Sequence, residues 1–538
     1  KFRPGINKET TSYSNKGGWN DCDKVRFRFG YPEKLGGWEK YANSTFLGTS
    51  RSLHTWANLE GNKYLGIGTE LKFYIEESQT YRDITPIRRK VVGDEVILSL
   101  NTETVAFAVT GFAGTTSLGT PPLINAQSND TLAPATPTGV SATGSVGTVS
   151  IEIVNPTSPA TGQVGEVTVL VNDTAHGAIV GDFVTFDSAN TGNSSLDTLL
   201  NNEHEILTVT SNTYTIDLSE NAPATLSASG TANAEYQINI GINVVVPGDG
   251  WGASTWGSDG WGSPASATAG GGTLRLWSQD NFGEDLIFNE RDGFLFYWDK
   301  SLGLSTRAKT LLELSDSAPL KSRKVIVSER DRHVICFGAS PQGSNVQDRL
   351  LIRFSSQENP FLWTADTTNT AGDLRIGSGS EIVTAVKTRR EIIVITDTSV
   401  HSMQFIGPPF TFGITQLASG TTVRSFNSAV AVGDAVFWMG YDRFYIYDGR
   451  VNIIPCSVRD HVFNDFNETQ SEKVYAGVNT AFGEVFWFYP SQTNAVANGG
   501  TGENDKYVVY NYDQKIWYVG SLSRTSWVDR GVYQYPMA

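Results

Sequence analysis

The stretch AVFWMGYDRFYIYDG (Ala435 to Gly449) sets the pattern on which the fold of this chain depends. An apolar run leads into a Gly-Tyr-Asp turn, and a second run rich in Tyr and Phe follows it. Two such runs joined by a short turn predict a β-hairpin. Similar units are YLGIGTELKFYIEE (Tyr64 to Glu77), DLIFNERDGFLFYWD (Asp285 to Asp299), IIVITDTSVHSMQF (Ile392 to Phe405) and YVVYNYDQKIWYVG (Tyr507 to Gly520). Looser versions are HVICFGA (His333 to Ala339) with RLLIRFS (Arg349 to Ser355), and EVFWFYP (Glu484 to Pro490).

The spacing of these units indicates a repeat architecture. Units that start at residues 285, 333, 392, 435 and 484 follow one another at intervals of 43 to 59 residues. A four-stranded propeller blade takes about 40 to 50 residues. One such sheet cannot cover both of its faces, whereas blades stacked radially cover one another. The sequence therefore predicts an all-β fold, a β-propeller of about six or seven blades.

The charge of the chain is distributed unevenly. Lys and Arg number 41 against 56 Asp and Glu, a net charge of −15, which argues against a protein that grips nucleic acid over a wide surface. The stretch Val91 to Leu274 contains 17 acidic residues and no Lys or Arg. The rest of the chain is nearly neutral. The chain therefore combines an acidic insert with a neutral, aromatic scaffold.

Composition divides the chain into four segments. They are an N-terminal arm with the first blades (1–127), an inserted acidic β domain (128–246), a Trp- and Gly-rich linker (247–272), and the remaining blades with a C-terminal tail (273–538). Alternation of polar and apolar residues in HEILTVTSNTYTI (His204 to Ile216) predicts strands. The insert is therefore predicted to be a small β-barrel or β-sandwich.

Three cationic clusters precede β runs. They are Arg88, Arg89 and Lys90; Lys321, Arg323 and Lys324; and Lys387, Arg389 and Arg390. If the blades are equivalent, these clusters occupy equivalent positions and form a basic patch on one face or around the channel. The alternative is that they are ordinary solvated entries to strands, and the sequence leaves both interpretations open.

No recognisable catalytic, cofactor-binding or metal-binding pattern occurs in the sequence. The six histidines show no H-x-x-H spacing, and the three cysteines (Cys22, Cys336, Cys456) include no C-x-x-C pair. Neither a G-x-S-x-G elbow nor a G-x-x-x-x-G-K-[ST] loop is present. We therefore predict a protein that is not an enzyme and uses no cofactor. We also expect no membrane insertion, because no apolar run approaches about 18 residues.

Four aromatic blocks outside the insert resemble a known family. They are KVRFRFGYPEKLGGWEKY (Lys24 to Tyr41), LRLWSQDNFGEDLIFNERDGFLFYWD (Leu274 to Asp299), TDTSVHSMQFIGPPFTFG (Thr396 to Gly413) and VFWMGYDRFYIYDGRVNIIPCSVRDHVFNDFN (Val436 to Asn467). In these blocks the chain is similar to the tail nozzle proteins of short-tailed bacteriophages, also called packaged-DNA stabilisation or tail tubular proteins. The resemblance covers all of the chain except the insert.

The resemblance implies a structural subunit of the virion, located in the phage tail and assembled in the host cytoplasm. Six copies would form a ring that extends the DNA exit channel as part of the head-tail connector, and closes it after packaging. The implied partners are the tail adaptor ring and the distal needle, spike or fibre proteins. Genomic DNA would pass through the channel during ejection without sequence-specific binding. No catalytic residue belongs to this role, so none carries over.

Two other functions compete with this one. A propeller adhesin or depolymerase would bind host-surface glycan, and a hydrolase of unrecognised type is the third possibility. Trp251, Trp256 and Trp261 lie between glycines in the linker, where they could stack on sugars. Large aromatics in such loops more often hold the loop onto its own domain, which is the interpretation we favour.

The chain ends and the insert carry two further expectations. One terminal segment, 2–19 or 531–538, should close the propeller while the other reaches a neighbouring subunit. A chain without residues 1–18 should then fold but fail to join the ring. An acidic lining would repel DNA phosphates and let the genome slide, yet we expect the insert on the outside of the ring rather than in its lumen.

Overall fold

Two units make up the chain in the computed structural model. One comprises Lys1–Ile84 with Gly241–Ala538, and the other comprises Thr85–Ile240. The structure describes residues 3–11, 13–88, 91–92, 95–96, 102–110, 152–154, 167–173, 175–218, 231–245 and 273–538. Two cations of the predicted basic patch, Arg89 and Lys90, lie outside the described residues, and so does the Trp- and Gly-rich linker.

The first unit begins with an N-terminal hairpin and a four-stranded antiparallel sheet. The hairpin consists of β1 (Val25–Arg28) and β2 (Tyr31–Lys34). The sheet, which we call blade 1, consists of β3 (Ser50–Ala57), β4 (Lys63–Thr69), β5 (Phe73–Glu77) and β6 (Thr80–Asp83).

In the residues that the structure describes, the second unit is a closed β-barrel with one short helix and a separate two-stranded sheet. Its strands are β7 (Val91–Val92), β8 (Glu95–Val96), β9 (Thr102–Thr110), β10 (Glu152–Val154), β11 (Val167–Asn172), β12 (Phe183–Asn190), β13 (Glu203–Val209), β14 (Thr213–Leu218) and β15 (Thr231–Tyr236). The order β9-β11-β14-β13-β12-β15 returns to β9, which makes a six-stranded barrel, and β10 runs parallel to β9. The helix α1 (Ser194–Leu200) buries Leu196 and Leu200 in the barrel core.

The barrel begins ahead of the predicted boundary. β9 pairs with both β11 and β15, so the barrel requires this strand, and the second unit starts at Thr85 rather than at residue 128. Composition does not show with which strand a segment pairs, and the turn-forming residues near 128 suggested a boundary there. In β14, Tyr214, Ile216 and Leu218 are buried while the residues between them are half-buried. This alternation is the pattern that predicted a small β-barrel or β-sandwich.

Five further sheets complete the first unit. Blade 2 has β16 (Trp277–Phe282), β17 (Asp285–Glu290), β18 (Gly293–Trp298), β19 (Lys309–Thr310) and β20 (Lys321–Ser322). Blade 3 has β21 (Lys324–Val327), β22 (Val334–Phe337), β23 (Leu351–Phe354) and β24 (Gly372–Arg375), and blade 4 has β25 (Ile382–Lys387), β26 (Ile392–Thr396), β27 (Ser399–Gly407) and β28 (Thr411–Ser419). Blade 5 has β29 (Ala429–Val432), β30 (Ala435–Met439), β31 (Phe444–Tyr447) and β32 (Val451–Ile454), and blade 6 has β33 (Tyr475–Asn479), β34 (Glu484–Tyr489), β35 (Lys506–Asn511) and β36 (Ile516–Ser521). Short helices between strands are α2 (Leu311–Leu314), α3 (Arg459–Asn464) and the 3-10 helices Lys300–Leu302, Glu468–Lys473, Gln492–Asn494 and Val496–Asn498.

Four of the five closest units form the hairpin of the second and third strands of a blade, whereas Tyr507 to Gly520 forms the outer hairpin of blade 6, β35 with β36. In the stretch Ala435 to Gly449, β30 pairs with β31 from Val436 opposite Tyr447 to Met439 opposite Phe444. The corresponding hairpins in blades 1, 2 and 4 are β4 with β5, β17 with β18, and β26 with β27. The looser pair at His333 and Arg349 forms β22 and β23 of blade 3. The predicted all-β propeller is confirmed, with six blades in the part of the chain that the structure describes.

Apolar side chains fill the spaces between successive blades. The first strand of each blade contacts the first strand of the next, from β3 and β16 through β21, β25 and β29 to β33, which makes these strands the innermost ones. Phe73 of blade 1 stacks on Phe288 of blade 2 with ring centroids 4.0 Å apart. Ile352 of blade 3 and Val394 of blade 4 share another fully buried cluster. Each blade therefore buries one face against its neighbour, which is what a lone sheet cannot do.

The C-terminal segment connects blade 6 back to blade 1. Ser526 lies 2.7 Å from Ser50 at the start of β3, between their hydroxyl oxygens. Val528, Tyr533 and Met537 pack against the apolar cluster of blade 1 that includes Leu65. The Tyr533 hydroxyl donates a hydrogen bond of 2.8 Å to the buried Glu76 carboxylate.

Ion pairs and the N-terminal arm add to this closure. The buried Arg51 of β3 binds Glu503 at 2.7 Å, and Lys473 binds the same carboxylate at 2.6 Å, which joins blade 1 to the last blade. The N-terminal segment around Ile6 lies on blades 5 and 6. Ile6 is buried there, and its backbone N–H donates a 2.7 Å hydrogen bond to the Trp517 carbonyl. Both chain ends therefore pack on the propeller.

Candidate functional site

The predicted basic patch divides between the two units. Arg88 belongs to the barrel unit, where its guanidinium donates to the His176 carbonyl and lies 4.5 Å from the centre of the Tyr236 ring. The other described members belong to the propeller, around the start of β21 and the end of β25. They are Lys321, Arg323, Lys324, Lys387, Arg389 and Arg390. That these residues act as one patch stays a prediction.

Arg323 links three blades through two carboxylates. Its guanidinium lies 3.0 Å from Asp292 in the β17–β18 turn and 2.9 Å from Glu381, which precedes β25. Burial opposes ionisation of Asp292, but the hydrogen bonds from Arg323 outweigh it and lower the pKa of that carboxyl. A cation held by two carboxylates presents little positive charge to a ligand. Arg323 therefore stabilises the contacts between blades rather than offering a positive charge to a ligand.

Lys387 takes part in a polar network on the innermost strands, which we call the inner network. Its ammonium lies 2.8 Å from Asp280 of β16 and 3.2 Å from the exposed Glu329. His54 of β3 lies 3.9 Å from the other Asp280 oxygen. Burial alone would lower the pKa of Lys387, but these two carboxylates raise it. The ammonium is thus charged and neutralised within the protein.

Lys324 belongs to the same network but has a weaker partner. Its ammonium donates a 2.9 Å hydrogen bond to the Thr384 hydroxyl and lies 4.8 Å from the centre of the Phe426 ring. Burial lowers the pKa of Lys324 to about 8, and attraction by Asp280 offsets only part of this effect. Near neutral pH this lysine is held in its charged form at a cost in free energy.

Alternation along β16 explains how one strand serves both neighbouring blades. Ser278 and Asp280 accept hydrogen bonds from backbone amides of β21, at 2.8 and 2.9 Å. Gln279 and Asn281 point the other way, to Ser52 and His54 of β3, at 2.9 and 3.1 Å. The inner seams that blade 2 forms with blades 1 and 3 are therefore polar and hydrogen-bonded.

Two cations of the patch remain exposed at the turn after β25. Arg389 is exposed, and Arg390 is exposed while lying 3.2 Å from the Asp434 carboxylate.

The sequence identified the cations of the inner network but not their partners Asp280 and His54. The available signal was the run WSQDNF (Trp277 to Phe282), which places four polar residues in a strand of an otherwise aromatic repeat.

Replacing Lys324 by methionine should stabilise the propeller at neutral pH. The pKa of Lys324 is lowered from 10.5 to about 8 by burial, so between those pH values the unfolded chain holds a proton that the folded chain lacks. Stability should therefore rise with pH across this interval in the natural chain, and K324M should remove that rise. We expect a gain of about 1 kcal/mol at pH 7.

Urea unfolding followed by tryptophan fluorescence at pH 7 and pH 9 tests this expectation. The control is Lys309→Met, at an exposed lysine of β19, which should change neither value. If K324M is less stable than the natural chain at both pH values, the hydrogen bond to Thr384 outweighs the cost of burial.

The described residues contain neither a metal-binding cluster nor a membrane-spanning helix. No group of three or more His, Cys, Asp or Glu side chains in this part of the chain is arranged to hold a metal ion. None of its helices has the length and apolar composition needed to cross a membrane.

Comparisons with known proteins give faint structural likenesses. No protein-family model matches the chain, and no curated protein matches it. PorZ, an essential surface component of the type-IX secretion system of Porphyromonas gingivalis, is 8% identical over 46% of this chain and 33% of PorZ, with a TM-score of 0.23. AztD from Citrobacter koseri is 8% identical over 48% of this chain and 77% of AztD, with a TM-score of 0.25.

An enzyme is also among these structures. The apocarotenoid oxygenase of Synechocystis is 8% identical over 68% of this chain and 75% of its own, with a TM-score of 0.27. The chain thus spans about a third of PorZ and about three quarters of the other two. At these values the likenesses assign no activity, ligand or partner to this chain.

Proposed function

We propose that the chain is a structural subunit of a short-tailed phage tail, the nozzle that extends and closes the DNA exit channel. The observation that carries this proposal is where the four family-like blocks lie. Lys24 to Tyr41 contains the N-terminal hairpin, Leu274 to Asp299 lies in blade 2, Thr396 to Gly413 in blade 4, and Val436 to Asn467 in blade 5 with α3. All of the blocks belong to the propeller unit.

The architecture suits a subunit that works as one copy among several. Blades that bury their faces against each other give a rigid body whose exposed loops can contact other subunits. The implied assembly is a homohexamer. Its partners are the adaptor ring on one side and the needle, spike or fibre proteins on the other.

The charge arrangement suits a channel protein that lets DNA slide. Lys387, Arg323 and Arg51 are each held by carboxylates at 2.7 to 3.0 Å. Binding to duplex DNA depends on cations that are free to replace its counterions. A surface whose cations are already paired exerts little hold on the phosphate backbone. The subunit would therefore confine the genome without gripping it, and no catalytic step or cofactor enters this role.

The mass of the purified full-length chain under native conditions tests the proposal. We expect six times the mass of one chain, by native mass spectrometry and by light scattering. A trimer with an elongated shape would instead favour a glycan-binding adhesin or depolymerase. In that case the proposed nozzle role is wrong.

A further inference from the structure

Two hairpin turns expose large apolar side chains at separate places on the propeller unit. The arm tip, Arg28 to Tyr31, joins β1 to β2 and exposes Phe29 (82%) and Tyr31 (76%). The blade 4 tip, Ile406 to Phe410, joins β27 to β28 and exposes Ile406 (58%) and Phe410 (71%). Pro408 and Pro409 in this second turn are exposed as well. Clustered apolar exposure of this kind marks interaction sites.

The residues that flank each tip are packed against neighbouring aromatic rings. Below the arm tip, the buried Phe27 packs edge-on against Tyr518 with ring centroids 6.1 Å apart. Below the blade 4 tip, the rings of Phe405 and Phe412 lie 5.7 Å apart, and Phe412 also packs against Phe354 at 4.9 Å. Little entropy is then lost when such a tip is docked, since its base is already ordered.

The chemistry of the two tips is complementary. The arm tip offers two aromatic rings and the exposed Arg28, whose guanidinium lies 5.4 Å from the Phe29 ring centre. The blade 4 tip offers proline and phenylalanine rings and carries no charge. Proline-rich segments dock on aromatic surfaces. A contact between two arm tips would instead bring two Arg28 side chains together.

We propose that the blade 4 tip of one chain docks on the arm tip of a second copy, in a head-to-tail contact. This inference rests on the proposed ring and names the surfaces that build it. A contact between two different surfaces repeats around a ring when the rotation closes. The hairpin of β1 and β2, which carries the arm tip, contacts β36 of blade 6. Blade 6 is two blades away from blade 4, which carries the other tip.

The positions of the two tips suit a ring of six whose subunits set their propeller axes parallel to the ring axis. Six blades share a full turn, so blades 4 and 6 stand roughly 120° apart about the propeller axis. In a six-membered ring, the two neighbours of any subunit also lie roughly 120° apart. Each tip is smaller than the roughly 800 Å² per partner of a standard interface, so the contact forms the apolar centre of a wider one.

Mixing two full-length variants tests this contact. The first, Phe29→Ser with Tyr31→Ser, lacks the arm surface, and the second, Ile406→Ser with Phe410→Ser, lacks the blade 4 surface. Native mass spectrometry should show rings for the natural chain and at least tenfold less ring for each variant alone. An equimolar mixture should stop at dimers, because only one intact pair of surfaces is available between the two variants. The control is Leu59→Ser, at a 95% exposed leucine in another turn, which should form rings normally.

The other possible outcomes would contradict the proposed contact. Rings that persist in either variant, or a mixture without dimers, overturn the head-to-tail contact while leaving the nozzle proposal intact. A natural chain that is trimeric or monomeric at every concentration overturns both. A second pair guards against loss of structure: Tyr31→Lys and Phe410→Glu should each reduce ring formation at least tenfold, and the two changes in one chain should restore it.

Discussion

Replacing Trp527 by alanine is expected to lower the free energy of unfolding by about 4 kcal/mol, because a large buried ring is lost. Trp527 is 6% exposed, and its ring lies 5.3 Å from Phe486 and 5.6 Å from Phe488. Its indole nitrogen donates a 2.8 Å hydrogen bond to the Val478 carbonyl. A Cβ on Gly477 would come within 2.5 Å of this ring, so blade 6 is shaped around it.

The loss should exceed that of an ordinary core residue because Trp527 begins the segment that closes the propeller. Val528 and Met537, which follow it, cover the apolar cluster of blade 1. Urea unfolding followed by tryptophan fluorescence measures the effect, with Trp527→Phe expected to lose less than half as much. The matched control is Tyr535→Ala in the same tail, which should stay within about 0.5 kcal/mol of the natural chain because Tyr535 is exposed. A W527A loss below about 1 kcal/mol would show that the tail does not close the propeller.

Replacing Arg26 by methionine should cost about 3 kcal/mol, since it leaves a buried carboxylate without its cation. Arg26 of β1 binds Glu484 of blade 6 through two contacts of 2.9 and 3.0 Å, and Glu484 is fully buried. The Tyr518 hydroxyl donates to the same carboxylate. Burial already raises the pKa of Glu484, and Arg26 counteracts this increase.

The loss in R26M should also depend on pH. Without Arg26 the pKa of Glu484 rises further, so the folded chain holds a proton that the unfolded chain has released. Stability of R26M relative to the natural chain should therefore fall as pH increases from 5 to 8. Adding Glu484→Gln, which keeps an acceptor for Tyr518, should recover at least half of the loss and remove the pH dependence. Urea unfolding of the single and double variants across this pH range measures both effects, and equal stability of R26M and the natural chain would contradict them.

The repeat architecture could be predicted because it depends on local patterns. A blade needs a hairpin whose strands are apolar on both faces, and runs such as EVFWFYP (Glu484 to Pro490) show this directly; all six residues of β34 are buried. The spacing of such hairpins then indicates blades. The same local alternation in the insert predicted strands, and these strands close into a barrel.

The charged contacts could not be predicted because their partners are distant in sequence. Lys387 binds Asp280, 107 residues away, and Arg26 binds Glu484, 458 residues away. A cationic cluster before a strand has the same appearance whether its side chains face solvent or a carboxylate on another blade. The boundary of the second unit could not be predicted for the same reason, because only the pairing of β9 with β15 shows where the barrel begins.

Paired inner cations and exposed apolar tips are the two features on which the proposed assembly rests. Lys387 of the inner network is paired with Asp280 within one chain, whereas the aromatic and proline residues of the two tips have large exposed surfaces. Desolvated aromatic and arginine side chains dominate the binding energy of many protein interfaces. On this view, neighbouring subunits are held by the tips, and DNA is merely enclosed.

Electron microscopy of the purified full-length chain provides the decisive test of the nozzle role. Class averages should show a six-fold ring of subunits around a central channel. The same images would place the acidic barrel, expected on the outside of the ring, relative to the channel. A trimeric rod or a different ring symmetry would contradict the proposal.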